Sequence, residues 1–244
     1  MTNKSAQDGT AVDADRRPIA TRDRAFAQQV AHWLATHGAS PNGISVAGMI
    51  CGILAGASLA ATTLSGFAIV GFVLAAVFVQ MRLLANLFDG MVAVEQNRRS
   101  PLGEMFNEVP DRVSDAATLI GAGYALGGSP VWGFTAAVLA VFVAYIRAQG
   151  KVAGAPMDFC GPMAKQHRMA AITVSSLLAA GLMIAGLEGS VVSLFGPSET
   201  QPVGLMQLTL YVIVVGAIVT AVRRLRRIGR ALQQNANSAP VEVN

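Results

Sequence analysis

Six stretches of the chain are almost wholly apolar, at residues 43–64, 66–85, 108–128, 130–149, 168–187 and 203–222, with short polar links between them. Crossing a hydrocarbon layer takes roughly 20 mostly apolar residues in helical form. The pattern therefore predicts an all-α integral membrane protein with six transmembrane helices. The third stretch is the most polar, because Glu108, Asp111, Arg112 and Asp115 fall in its first turns. Ahead of the first stretch, Phe26, Val30, Trp33, Leu34 and His37 recur at helical spacing, with Arg22, Arg24 and Gln28 on other faces. That spacing predicts an amphipathic helix lying on the membrane surface. The resulting organisation is a disordered tail at 1–15, a juxtamembrane helix within 16–40, a six-helix domain at 41–230 and a second disordered tail at 231–244. Both tails are polar and sparse in large apolar groups.

Composition strengthens the membrane assignment, since 53% of the 244 residues are hydrophobic and only 13% are charged, which argues against an ordinary soluble domain. The first forty residues contain no apolar core flanked by a small-residue cleavage site, so the first span is expected to act as its own insertion signal. Positive charge is one-sided. Arg16, Arg17, Arg22 and Arg24 precede the first stretch, Arg82, Arg98, Arg99 and Arg112 surround the second link, Arg147, Lys151, Lys165 and Arg168 surround the fourth, and Arg223, Arg224, Arg226, Arg227 and Arg230 follow the sixth. The alternate links, near Thr63, near Gly128 and from Leu187 to Pro202, carry no Lys or Arg. Because Lys and Arg stay cytoplasmic during insertion, both termini are expected inside, as in the cell membrane of a bacterium. The net charge of +4 then fits attraction to anionic membrane lipids and gives no reason to expect nucleic acid as a partner. Cys51 and Cys160 lie far apart without histidines at ligand spacing, so they make neither a disulfide framework nor a zinc site. Gly48, Gly52 and Gly56 form a stripe that permits close helix packing, either within one chain or in a homodimer.

One charged segment interrupts this apolar chain, NLFDGMVAVEQNRRSPLGEMFNEVPDRVSD, running from Asn86 to Asp115. The second span is expected to end near Asn86 to Asp89 and the third to start near Asn107, so the charges gather at the cytoplasmic ends of two helices. Asn86 and Asp89 are three apart, and Asn107, Asp111 and Asp115 are four apart, so each set shares one helix face. A carboxylate deep in a span costs roughly 2.5–3.5 kcal/mol on insertion scales, and such groups usually face the protein interior, pair, or bind an ion. Oxygen ligands without Cys or His favour Mg2+ or Mn2+. Plainer roles exist for single residues: Asp111 pairing with Arg112, and Asn107 as a helix N-cap with Pro110 in the first turn.

The segment resembles the signature of the CDP-alcohol phosphatidyltransferases, D-x2-D-G-x2-A-R-x8-G-x3-D-x3-D. Asp89, Gly90, Ala93, Gly103 and Asp111 stand at the matching spacing, and SPNGIS, Ser40 to Ser45, is similar to the family's entry to its first span. Three positions depart from the signature: Asn86 and Asn107 replace aspartates, and Val94 replaces the arginine. The resemblance implies transfer of a phosphatidyl, or other substituted phosphoryl, group from a CDP-linked donor such as CDP-diacylglycerol to an alcohol acceptor, with release of CMP. It also implies Mg2+ or Mn2+ held by Asn86, Asp89, Asn107 and Asp111, with Glu108 or Asp115 as compensating ligands, and Asp111 as the proton acceptor. Asn42, Gly90, Ala93 and Ser100 would contact CDP, Arg98 or Arg99 would stand in for the missing arginine, and Arg147, Lys151, Lys165 and Arg168 would hold a phosphate on the acceptor. Two other functions fit parts of the pattern: a non-catalytic relative that binds CDP-lipid, motivated by the two asparagines, and a small transporter, motivated by the intramembrane carboxylates.

The charge asymmetry sets a topology test. In a Cys-free background, single cysteines near Arg98 and Lys151 should be labelled from the cytoplasmic side and one at Ser193 from the outside. Labelling of the Ser193 position only from the cytoplasm overturns the six-span arrangement.

Overall fold

A computed structural model describes residues 25–96, 101–194 and 203–238. Helix α1 is Ala25–Thr36, and α2, Pro41–Ala60, is extended by a single 3-10 turn at Ala61–Thr63. There follow α3, Ala68–Glu95, α4, Pro101–Tyr124, α5, Pro130–Val152, and α6, Lys165–Ile184. A short α7, Glu188–Val192, precedes the long α8, Leu205–Ser238. Among the described residues there is no β-strand. The chain is an all-α membrane protein. Five helical segments, Pro41–Thr63, Ala68–Glu95, Pro130–Val152, Lys165–Ile184 and Leu205–Asn235, are long and apolar enough to cross a membrane. The remaining long helix, α4, has 24 residues but carries all its charges at or before Asp115.

Local chemistry explains most boundaries. Ser40 caps α2 by accepting from the Gly43 amide at 3.1 Å, and Pro41 occupies the first turn, where its missing N–H costs nothing. Three boundaries differ from the sequence-based expectation. Helix α3 does not stop at Asp89 but continues to Glu95, because Met91 to Glu95 include good helix formers and Gly90 alone is a tolerable cost. Helix α4 begins at Pro101, so Asn107 lies inside it and is no N-cap, and Pro110 sits in the helix interior. The last helix runs on to Ser238, past the tail expected from residue 231, since Arg, Ala, Leu and Gln hold a helix without large apolar groups. The tail at 1–15, the arginines at 16, 17, 22 and 24, and Arg98, Arg99 and Ser100 lie outside the described residues.

Helix α2 packs between α3 and α4, α4 also meets α5, and α8 closes the bundle against α5 and α6. The glycine stripe is used within the chain. A Cβ on Gly56 would lie 2.2 Å from the Ala117 carbonyl oxygen, and one on Gly121 would lie 2.2 Å from the Gly56 carbonyl oxygen, so α2 and α4 touch backbone to backbone. Gly52 meets Ser114 in the same seam, and Gly48 meets Ala85 on α3. Thr118 adds a hydrogen bond to the Gly52 carbonyl at 3.1 Å. The core around this seam is built from Leu59, Phe72, Leu119, Ile172, Met206 and Leu210 with many alanines, while Val77, Val138, Leu177 and Val215 face outward, where lipid covers them. Helix α1 buries Ala27 and Ala31 and turns Phe26 and Trp33 outward. His32 bonds Glu95 at 2.7 Å and Gln96 reaches the Ala39 carbonyl at 2.9 Å, which ties α1 to the end of α3.

The seam predicts a position-specific cost. Gly56→Val must push α2 and α4 apart and should sharply lower the yield and melting temperature in detergent, by about 1–3 kcal/mol or more on the scale of overpacked cores. Gly181→Ala, with nothing within 4 Å of the new Cβ, should be neutral in the same thermal assay. Equal melting temperatures for both variants would show that the seam is not tight.

Candidate active site

The glycine contact brings α4 against α2, and α3 lies on α2's other side, so the polar ends of three helices meet. Their shared cleft is lined by Ser45, Gly48 and Met49 of α2, Arg82, Asn86 and Asp89 of α3, and Asn107, Pro110 and Asp111 of α4. The four residues that the resemblance implies as metal ligands, Asn86, Asp89, Asn107 and Asp111, all line it. Asp89 is buried, and its two oxygens are held separately: Oδ2 accepts from Ser45 Oγ at 2.7 Å and Oδ1 from the Gly90 amide at 2.6 Å. Gly90 and Ala93 follow on α3, and Asn42 lies in the first turn of α2 without lining the cleft.

Beneath the cleft runs a network of buried charge. Arg82 is 1% exposed and Arg168 2% exposed, and both bond Asp115, itself 1% exposed. Arg82 Nη2 pairs with Asp115 Oδ1, while Arg168 Nη2 donates to Oδ2 at 2.8 Å. Arg82 Nε donates to Ser114 at 2.7 Å, its Nη2 lies 3.4 Å from Asp111 Oδ1, and Arg168 Nη1 donates to the Met163 carbonyl at 2.9 Å. Lys165 pairs with Asp111 Oδ2. Glu108 pairs with both Arg112 and Arg147.

These pairings revise several expectations. Asp111 pairs with Arg82 and Lys165, not with Arg112, because Arg112 meets Glu108 one turn back on the same helix. Asp115 and Glu108, named as compensating metal ligands, do not line the cleft and pair with arginines. Of the four cations read as an acceptor-phosphate site, Arg168 is committed to Asp115, Arg147 pairs with Glu108 and lies 5.3 Å from the Phe159 ring, Lys165 pairs with Asp111, and Lys151 is exposed in the last turn of α5. Sequence reasoning passed over Ser45, Ser114 and the structural weight of Arg82, which had counted only toward topology. Arg224 is another: it is buried, donates to the Cys160 and Val143 carbonyls at 3.0 Å, and feels the charges of Arg147 and Arg168. The signal for Arg82 was slight: it falls inside the second apolar stretch, three residues from its end, where an arginine usually faces the protein interior and pairs. Cys160, in the loop before α6, has its thiol raised above its ordinary range by burial and by its bond to Asp158.

The cleft's donors are carboxylate and carboxamide oxygens, the chemistry of a hard divalent cation. Among the described residues no group of three or more His, Cys, Asp or Glu side chains is placed to hold a metal. Two carboxylates with two carboxamides bring half the negative charge that four aspartates would.

Comparison with known proteins defines the class. The sequence profile of the CDP-alcohol phosphatidyltransferases matches residues 39–222, and the chain belongs to that family. It is 28% identical over 220 residues to the phosphatidylinositol phosphate synthase of Streptomyces avermitilis, spanning 85% of this chain and 81% of that protein. It is 26% identical over 152 residues to the archaetidylinositol phosphate synthase of Pyrococcus horikoshii, spanning 62% and 76%. The fold is that of Mycobacterium tuberculosis phosphatidylinositol phosphate synthase crystallised with CDP-DAG, at a TM-score of 0.63 and 16% identity, covering 84% of this chain and 94% of the other. The same enzyme with manganese and citrate gives a TM-score of 0.63, again at 16% identity, covering 83% and 88%.

The buried bridge yields a stability prediction. Asp115→Asn leaves Arg82 and Arg168 without their shared counterion and should destabilise the protein by about 3–5 kcal/mol, the scale for breaking a buried pair, measured by thermal unfolding in detergent. An unchanged melting temperature with lost metal binding would instead make Asp115 a ligand.

Proposed function

We propose that this chain transfers a phosphatidyl group from CDP-diacylglycerol, or a related CDP-linked lipid, to a phosphate-bearing alcohol, releasing CMP. The observation that carries it is the convergence of Asn86, Asp89, Asn107 and Asp111 from two helices on one cleft, with basic residues gathered at the same end of the bundle. The relatives' names support an inositol phosphate acceptor, and the related fold crystallised with CDP-DAG supports the donor. In this reading α4 is the sixth span, both termini and the cleft face the cytoplasm, and the protein lies in a bacterial cell membrane.

A divalent cation held by Asp89 and Asp111 with the carboxamide oxygens of Asn86 and Asn107 would supply positive charge against the diphosphate and the departing CMP. Gly90 and Ala93 leave room for the nucleotide to approach α3. Ser45 and the Gly90 amide fix Asp89, so its carboxylate is oriented before substrate arrives. Asp111 takes the proton of the acceptor hydroxyl as that oxygen bonds to the phosphatidyl phosphorus and the bond to CMP breaks. Arg147, Lys151 and Lys165 would attract the acceptor's phosphate, while Arg168 holds Asp115 in place. A second reading, a relative that binds CDP-lipid without turnover, is favoured by Asn86 and Asn107 alone.

Purified protein with Mg2+ or Mn2+, CDP-diacylglycerol and a panel of alcohols should release CMP, with inositol phosphate among the active acceptors. Asp111→Asn should lower turnover by ~10²-fold or more, the scale of general-base catalysis. Silence of the wild type with every alcohol, together with CMP release by the Asn86→Asp, Asn107→Asp double variant, would establish the non-catalytic reading.

A further inference from the structure

Arg82 belongs to no part of the family signature, yet it lines the same cleft as the four signature positions. Its side chain is 1% exposed. Two of its three nitrogens are engaged: Nε with Ser114, and Nη2 with Asp115 and Asp111. The third, Nη1, is buried and has no hydrogen-bond partner among the described residues. A guanidinium carries five donors in a fixed fork, and a buried donor left without a partner is costly. The chain itself also supplies as many cations as carboxylates here: Arg82, Lys165 and Arg168 pair with Asp111 and Asp115, and Asp89 accepts from Ser45 and the Gly90 amide. Replacing two aspartates by Asn86 and Asn107 removes the negative charge that a second divalent cation would need, and Arg82 places a permanent cation beside what remains.

We propose that Arg82 Nη1 donates to a phosphate oxygen of the diphosphate bound in this cleft, giving from within the chain the positive charge that a second divalent cation would bring. The site then takes one divalent cation per chain. Arginine suits this role because its charge is permanent and its fork can bond Asp115 and a phosphate at once. The inference rests on the diphosphate-donor reading above, so inorganic pyrophosphate serves as a probe that does not depend on the lipid or on turnover.

Mn2+ binding to the full-length protein in detergent, counted by the EPR signal of free Mn2+ with pyrophosphate present, should saturate at one ion per chain. The triple variant Arg82→Gln, Asn86→Asp, Asn107→Asp should bind two. Pyrophosphate affinity, measured by calorimetry with Mn2+ present, should fall at least ~10-fold in Arg82→Gln, the scale of a hydrogen bond to a charged group. Arg82→Lys keeps the charge near Asp115 but loses the fork. It should stay folded by thermal unfolding and also bind pyrophosphate more weakly. A wild-type stoichiometry other than one, or wild-type pyrophosphate affinity in a folded Arg82 variant, overturns the proposal. Pyrophosphate binding that depends on Arg82 in a protein that binds no CDP-diacylglycerol would uphold the anion site and sink the lipid-donor reading instead.

Discussion

The bridge of Arg82, Asp115 and Arg168 is the constraint on which the polar end of the bundle depends. Each charge taken out of water costs several kcal/mol, and that cost is recovered only where the partners meet in good geometry. Here the partners come from α3, α4 and α6, so no two of these helices can shift without leaving a charge unpaired. The bridge also explains how α4, too charged to look like an ordinary membrane helix, keeps its place in the bundle. Its acidic face looks inward to arginines and its seam with α2 is made by glycines.

Geometry at the cleft follows from those two contacts. Backbone contact at Gly52, Gly56 and Gly121 fixes the height of α4 against α2, while Gly48 lets α3 approach from the other side. Ser45 then reaches from α2 to Asp89 on α3, and Arg82 reaches from α3 to Asp111 and Asp115 on α4. The residues that would do chemistry are thus oriented by side chains that would not, and Arg82 stands in both groups. Its neighbours Asn86 and Asn107 keep oxygen donors while giving up the charge that aspartates would carry.

The apolar stretches, the charge asymmetry and the three- and four-residue spacings were legible in the sequence, because hydrocarbon thickness and helical periodicity act on each segment separately. They determined that the protein is helical, sits in the membrane, and presents Asn86 and Asp89 on one helix face and Asn107, Asp111 and Asp115 on another. Pairing was not legible. Arg82, Arg112, Arg147 and Arg168 look alike as positive charges at span ends, and nothing local distinguishes the one that meets Asp115 from the one that meets Glu108. Helix ends were misplaced for a related reason: Asp89-Gly90 and Asn107 read as a stop and a start when taken alone. Whether Asp111 pairs with the adjacent Arg112 or with Arg82 and Lys165 from other helices depends on which cations the packed bundle brings within reach. Only the tertiary structure decides that, since a buried charge is satisfied by its neighbours in space and the sequence orders only its neighbours along the chain.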